Sequence, residues 1–170
     1  AGVRDITLII GHLGHQVKQF CNSYNNANFT FVEQTERLGL GHAIYQGLDN
    51  TEEPVVIVLG DTILELDYNN LINSQCSTIG VASVPDPERF GVPVLESDRV
   101  VKILEKPSTA PSTYAVTGIY LYDQRVFEII NHLHPSERGE LEITDVNNQY
   151  IEWEEMTYDI LEGWWTDAGT

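Results

Sequence analysis

Short apolar segments alternate with segments of helical spacing along the first half of the chain. Four of the apolar segments have the composition of strands and cover residues 6–10, 29–32, 55–59 and 78–84. Helices are predicted between them over residues 14–24, 42–48 and 68–73. The segment at 55–59 is apolar throughout and is stopped by Gly60 and Asp61, so we predict a central parallel strand there. This alternation predicts a doubly wound α/β sheet.

The second half of the chain has the pattern of an antiparallel extension of that sheet. Further strands are predicted over residues 92–96, 100–105, 114–122 and 156–161. Turn residues at Ser97 and Asp98 separate two of these strands and predict a hairpin. Apolar stripes predict helices over residues 125–133 and 143–151. We therefore predict one α/β domain over residues 1–170, with a Rossmann-like mixed sheet.

The charge of the chain narrows the range of partners. Nine Lys and Arg residues stand against 26 Asp and Glu residues, which gives a net charge of −17. Nucleic acids and membrane surfaces bind basic patches, so we predict neither partner. Without a signal peptide, a span of ~20 apolar residues or a disulfide framework, a cytoplasmic location is expected. If so acidic a chain binds phosphates, it needs a bridging metal ion, a few well-placed cations, or basic residues outside it.

Two aspartates are candidate ligands for a metal ion. Asp61 directly follows the most apolar predicted strand, and ligands of α/β sheets bind beyond the carboxyl ends of strands. Asp167 lies in the stretch WWTDAGT near the end of the chain. Two carboxylates from distant segments can hold one Mg²⁺, whose other positions are filled by substrate oxygens. A turn or helix-capping role is the alternative for each aspartate.

Two further motifs contain residue types that bind nucleotides and sugars. The GLGH motif at residues 39–42 follows a strand and opens a helix, but Ile44 stands where a dinucleotide fingerprint needs Gly or Ala, so hydride transfer is rejected. The glycines instead would let a flat base approach the backbone. Glu105 and Lys106 could bind sugar hydroxyls and a phosphate, although a solvated strand end has the same pattern.

Seven motifs follow one another in order along nearly the whole chain. They are VEQ at 32–34 with GLGHA at 39–43, VLGD at 58–61, RFGV at 89–92, ILEKP at 103–107, YAVTGIY at 114–120, RGELEITDVN at 138–147 and WWTDAGT at 164–170. Together they resemble the sugar-1-phosphate nucleotidyltransferases, and within them the glucose-1-phosphate thymidylyltransferases. The resemblance implies a nucleotide-diphospho-sugar transferase fold and a homo-oligomer. It also implies an Mg²⁺-dependent reaction of a nucleoside triphosphate, expected to be dTTP, with a sugar 1-phosphate, expected to be glucose 1-phosphate.

The resemblance also implies roles for individual residues. Gln34 would hydrogen-bond a thymine or uracil base, with Gly39 beneath it, since one amide can pair with the imide edge of a pyrimidine. Asp61 and Asp167 would bind Mg²⁺, and with Lys106 they would form the catalytic set. The sugar-binding residues would be Gly91, Glu105, Lys106, Val116 and Tyr120.

The chain departs from the family pattern in several places. The family has a glycine-rich loop with Arg and a catalytic Lys before the part that matches residues 1–6, and further helix after residue 170. The resemblance therefore implies a fragment cut at both ends that turns over no substrate by itself. Thr62 stands where the family usually has Asn, and Phe90 where Tyr is frequent. The alternative function is a non-catalytic nucleotide-sugar-binding regulatory or assembly module of the same fold.

Overall fold

The alternating order of strands and helices is preserved in a computed structural model, which describes residues 3–47 and 53–168. The first half contains strands β1 (Asp5–Ile10), β2 (Asn28–Glu33), β3 (Val55–Val58), β4 (Thr62–Leu66) and β5 (Ser77–Ser83), with helices α1 (Gly14–Cys21), α2 (Leu40–Gln46) and α3 (Asn69–Ile72). The second half contains a 3-10 turn (Pro87–Arg89), strands β6 (Gly91–Glu96), β7 (Arg99–Glu105), β8 (Tyr114–Tyr122), β9 (Met156–Ile160) and β10 (Gly163–Asp167), and helices α4 (Arg125–His132) and α5 (Ile143–Glu152).

The main sheet is mixed and has four strands in the order β3–β8–β5–β9. Strand β8 runs antiparallel to both β3 and β5, whereas β5 and β9 are parallel. Strands β1 and β2 form a separate parallel pair, and β6 and β7 form the predicted antiparallel hairpin. The mixed α/β class and the hairpin are thus confirmed.

The prediction of a central parallel strand at residues 55–59 is wrong. Within the described part of the chain, β3 pairs with β8 alone, in antiparallel orientation, at one end of the main sheet. Val55 and Ile57 pack against the core, while Val56 and Val58 on the opposite face are 40% and 52% exposed. An apolar run has no period that distinguishes a strand covered on both faces from one covered on a single face.

Two strands that the sequence pattern did not predict form a second antiparallel pair. Strands β4 and β10 pair over their whole length, from Thr62 opposite Asp167 to Leu66 opposite Gly163, and we call this pair the β4–β10 ribbon. Helix α1 ends at Cys21, so the predicted helix over 14–24 is too long by three residues. The prediction for α2 ran to Leu48, which lies outside the described residues.

The core lies between the main sheet and helices α4 and α5. Both helices bury their apolar stripes, and a ladder of stacked rings joins the sheet to α5 through Tyr120, Tyr122 and Tyr150, with centroids 5.6 and 5.5 Å apart. The Tyr122 hydroxyl donates to Oδ1 of Asn147 at 2.6 Å, which satisfies both buried polar groups. Helix α5 is therefore fixed relative to β8. Among the described helices, none has the length and apolar character to cross a bilayer.

Candidate active site

An open cavity of about 240 Å³ lies where β8, the β6–β7 hairpin, the β4–β10 ribbon and the start of α5 meet. Its walls include seven of the nine residues to which the family resemblance assigns roles: Asp61, Gly91, Glu105, Lys106, Val116, Tyr120 and Asp167. These residues come from five separate segments of the chain, and the fold brings them to one place. This cavity is the candidate active site.

The β4–β10 ribbon brings the two aspartates together. Asp61 precedes β4 and Asp167 ends β10, and the strand register places Asp167 opposite Thr62. The backbone N–H of Ala168 donates to the carbonyl oxygen of Asp61 at 2.9 Å, which extends the pairing by one step. Both aspartates line the cavity, although 105 residues separate them in the sequence.

A bulge in β8 anchors this ribbon. Val81 of β5 pairs with Val116 of β8, and Ile79 pairs with Tyr120, so β8 contains two more residues than β5 between these two pairs. The backbone carbonyl of Thr117 accepts hydrogen bonds from Nε1 of Trp165 at 2.8 Å and from Oγ1 of Thr62 at 3.1 Å. Because these donors neighbour the two aspartates in sequence, the bulge fixes the backbone that carries both carboxylates.

Glycine 118 makes this bulge possible. Its φ of +81° lies in the left-handed region, and a Cβ there would lie 2.6 Å from Oγ1 of Thr62. Its carbonyl accepts from the N–H of Leu59 at 2.9 Å, so β8 approaches the segment that leads to Asp61 very closely. Only a residue without a side chain fits between these two segments.

The predicted sugar-binding carboxylate is held by helix α5. Oε2 of Glu105 accepts a hydrogen bond from Oγ1 of the buried Thr144 at 2.7 Å. One turn further along α5, the Asn148 amide bonds the N–H and the carbonyl of Ile103 at 2.8 and 3.1 Å, which fixes α5 against β7. Thr144 lines the cavity and was not among the predicted site residues. Its position in the motif at 138–147 was the only sequence signal for it.

Gly91 keeps the space in front of Glu105 open. The two residues are paired across the β6–β7 hairpin. A Cβ at Gly91 would lie 3.7 Å from Oε2 of Glu105 and 3.7 Å from Cγ2 of Val116, which is ordinary van der Waals contact. The glycine is therefore not required by the packing of the protein, and its effect is to widen the cavity between the two side chains.

Lys106 and Tyr120 provide hydrogen-bond donors in the cavity wall. Lys106 has a φ of +41°, which is rare for a residue with a side chain and is commonly found at functional sites. Tyr120 is 3% exposed, and its pKa is raised above the ordinary value by burial first and then by the negative charges of Glu105 and Asp61. The Tyr120 hydroxyl therefore stays protonated and can donate a hydrogen bond near neutral pH.

Negative charge dominates the cavity. Its lining includes five carboxylates and two cations, namely Asp61, Glu105, Glu140, Glu142 and Asp167 with Arg89 and Lys106. Glu142 pairs at 2.9 Å with Arg138, and Arg89 pairs at 2.7 Å with Asp86; Arg138 and Asp86 themselves are not part of the lining. Phosphates would be repelled from such a wall unless a cation lay between them and the carboxylates.

The two aspartates suit Mg²⁺ as ligands. Carboxylate oxygens are the donors that Mg²⁺ prefers, and it keeps most of its coordination positions for water and phosphate oxygens. Across residues 3–47 and 53–168, no three His, Cys, Asp or Glu side chains are grouped closely enough to hold a metal ion by themselves. A site of two carboxylates completed by a substrate fits this arrangement.

Gln34 and Gly39 lie beside the cavity, and neither belongs to its wall. Gly39 directly precedes Leu40, which lines the cavity, and Nε2 of Gln34 donates to the Gly39 carbonyl at 3.2 Å. A Cβ at Gly39, where φ is +92°, would lie 2.8 Å from Cβ of Glu140 and 2.9 Å from the backbone of Leu141. Packing against residues 140–141 thus accounts for this glycine, and its contact with a base stays a prediction.

Trp165 also lines the cavity, although no individual role was predicted for it. Its ring packs edge-on against Phe90, with centroids 5.2 Å apart, and together they close one side of the cavity. Nε1 of Trp165 is satisfied by the β8 bulge, as expected for a half-buried indole. The aromatic stretch before Asp167 was the signal for a wall of this kind.

Comparisons with known proteins give a consistent result. The model of the nucleotidyl transferase family matches residues 1–170. The bifunctional protein GlmU of Methanococcus vannielii is 34% identical over 174 residues, covering 98% of this chain and 41% of that protein. A glucose-1-phosphate thymidylyltransferase of Streptomyces antibioticus is 32% identical over 186 residues, covering 99% of this chain and 51% of that protein. The chain thus spans about half or less of these relatives.

A solved structure has the same fold. It is the crystal structure of a Bacillus anthracis protein assigned as a glucose-1-phosphate thymidylyltransferase, in complex with sucrose. The two chains are 40% identical with a TM-score of 0.87, over 97% of this chain and 71% of the other. The fold is therefore of the nucleotide-diphospho-sugar transferase type, and the chain belongs to the nucleotidyl transferase family, among its sugar-1-phosphate nucleotidyltransferases.

Proposed function

We propose that the protein carrying this chain transfers a nucleotidyl group from a nucleoside triphosphate to a sugar 1-phosphate, with dTTP and glucose 1-phosphate as the substrates. The family membership and the names of two relatives support this proposal. The observation that carries it is the meeting of Asp61 and Asp167 beside Glu105 in one cavity. A homo-oligomer and a cytoplasmic location remain expectations from the sequence.

The proposed reaction is an in-line displacement at phosphorus. A phosphate oxygen of the sugar 1-phosphate bonds to the α-phosphorus of the triphosphate, and the bond from this phosphorus to the bridging oxygen breaks. Pyrophosphate leaves with the electron pair of that bond, and a nucleotide sugar is formed. Because such reactions need little covalent help, the protein contributes chiefly by positioning the substrates and by neutralising charge.

Each residue of the cavity has a defined part in this proposal. Asp61 and Asp167 would hold Mg²⁺, which when bound supplies positive charge next to the phosphates. Lys106 would place its ammonium group against the sugar phosphate as a point charge. Glu105, held by Thr144, would accept hydrogen bonds from sugar hydroxyls.

Thermal unfolding with three nucleotide sugars tests the proposal. We expect dTDP-glucose with Mg²⁺ to raise Tm most, UDP-glucose less, and GDP-mannose not at all. A ligand at 100 times its Kd stabilises the folded state by about 2.7 kcal/mol, which is well within detection. Omitting Mg²⁺ should remove most of the effect. The proposal fails if no nucleotide sugar shifts Tm, or if GDP-mannose is as effective as dTDP-glucose.

Gly91→Ala should separate ligand binding from stability. The added methyl group makes only ordinary contacts with the protein, so unfolding should change by less than about 1 kcal/mol. The same methyl group would lie in the space that the sugar needs in front of Glu105. We expect binding of dTDP-glucose, measured by calorimetry, to weaken by about 5- to 150-fold, since an added methyl group in a filled pocket costs about 1–3 kcal/mol. Unchanged affinity would show that the sugar lies elsewhere.

A further inference from the structure

The side-chain amide of Gln34 is held in one orientation by two neighbours. Its Nε2 lies 3.2 Å from the carbonyl oxygen of Gly39 and 2.9 Å from Nδ1 of His42. A backbone carbonyl can only accept a hydrogen bond, so the nitrogen end of the amide must face Gly39. This fixes the orientation of the amide without reference to the state of the histidine.

The orientation of Gln34 in turn fixes the tautomer of His42. With one N–H directed at Gly39, the second N–H of the amide is directed at Nδ1 of His42, which must therefore accept. The imidazole is then neutral, with its proton on Nε2. Nε2 of His42 lies 3.2 Å from Nε2 of Gln46. Rotating the Gln46 amide by half a turn exchanges its oxygen and nitrogen, and the oxygen then accepts the proton of His42. His42 thus connects Gln34 to helix α2.

The oxygen of the Gln34 amide is left as an acceptor. Both hydrogens of its nitrogen are used by Gly39 and His42. Over residues 3–47 and 53–168, no donor is recorded at Oε1 of Gln34, and the side chain is half-buried. Oε1 therefore points away from its two neighbours and is available to a ligand.

We propose that His42 is a positioning residue that makes Gln34 select bases with a protonated N3. The proposal rests on the proposed function and on the role that the family resemblance implies for Gln34, contact with the base. Thymine and uracil carry a hydrogen on N3, which Oε1 of Gln34 accepts. Cytosine has an unprotonated N3, which would need a donor from the protein, and a flip of the amide to supply one would cost both bonds to Gly39 and His42.

The test compares UDP-glucose with CDP-glucose, which differ only in the base. Calorimetry with Mg²⁺ measures both affinities for the wild-type chain, His42→Leu and His42→Asn. The leucine removes the acceptor, while Oδ1 of asparagine takes the place of Nδ1. We expect the wild type to prefer UDP-glucose. The ratio of its affinities for UDP-glucose and CDP-glucose should fall about tenfold in His42→Leu and stay unchanged in His42→Asn.

The possible outcomes separate the two proposals. If the wild type binds neither these two ligands nor dTDP-glucose, the proposed function fails and this inference fails with it. If the wild type prefers UDP-glucose and His42→Leu keeps the same ratio, the inference alone is overturned. A ¹⁵N spectrum of the wild-type chain with UDP-glucose needs no variant: it should show His42 with its proton on Nε2, and a proton on Nδ1 would overturn the inference.

Discussion

Asp61→Asn and Asp167→Asn are each expected to abolish the Mg²⁺-dependent part of nucleotide-sugar binding. Changes in residues that only support metal ligands commonly cost 10- to 100-fold in affinity, so loss of a ligand itself should weaken binding of dTDP-glucose with Mg²⁺ at least about 100-fold. Without Mg²⁺, both asparagine variants should bind dTDP-glucose as weakly as the wild type or more tightly, because each removes a negative charge beside the phosphates. Calorimetry with and without Mg²⁺ measures both effects.

Asp98→Asn is the matched control for these variants. Asp98 is exposed in the turn between β6 and β7, at the opposite end of the hairpin from Gly91 and Glu105, and its replacement removes the same charge outside the cavity lining. It should bind dTDP-glucose with Mg²⁺ like the wild type. If Asp98→Asn weakens binding as much as the other two variants do, the effect reflects net charge, and the assignment of a metal site to the ribbon is wrong.

Gly118→Ala is expected to lower the free energy of unfolding by about 3 kcal/mol, a larger loss than Gly91→Ala or Gly139→Ala should cause. A side chain at a φ of +81° is strained by ~1 kcal/mol, and the added Cβ would also lie 2.6 Å from Oγ1 of Thr62 and 3.0 Å from Cδ1 of Leu59. The neighbours that must move, Leu59 and Thr62, lie on either side of Asp61 in the sequence. Urea unfolding gives the change in free energy, and binding of dTDP-glucose with Mg²⁺ should fall as well.

Gly139→Ala isolates the contribution of backbone strain. Gly139 has a similar φ of +76°, but a Cβ there meets nothing within 4 Å. Its replacement should therefore cost only about 1 kcal/mol. Equal losses for the two variants would mean that the close approach of β8 to Thr62 contributes nothing, and the bulge would then lose its role as the anchor of the ribbon.

Local patterns predicted the elements that have strong periodicity. The apolar stripes of α4 and α5 and the turn between β6 and β7 were sufficient to locate these elements to within one or two residues. The β4–β10 ribbon was not predicted, because TILEL and GWWTD are short and depend on pairing across about 100 residues of sequence. Strand β3 was placed wrongly in the sheet, because an apolar run does not reveal which of its faces is covered.

The residues of the candidate site could be predicted from the sequence only where they belong to family motifs. Asp61, Asp167 and Glu105 each had a turn or surface interpretation when taken singly, and only the order of the motifs favoured a common site. The contacts of Thr144, Trp165 and the Thr117 carbonyl could not be predicted, because they arise from the bulge and from the packing of α5 on β7. Residues that hold other residues in place have no local signature.

Paramagnetic broadening by Mn²⁺, which takes oxygen ligands as Mg²⁺ does, most directly tests whether one cation lies between the two strands of the ribbon. In the presence of dTDP-glucose, substoichiometric Mn²⁺ should broaden the amide resonances of residues 61–62 and 166–168 together and before any others. The ribbon's carboxylates are not a metal site if those resonances stay sharp while another part of the chain is broadened.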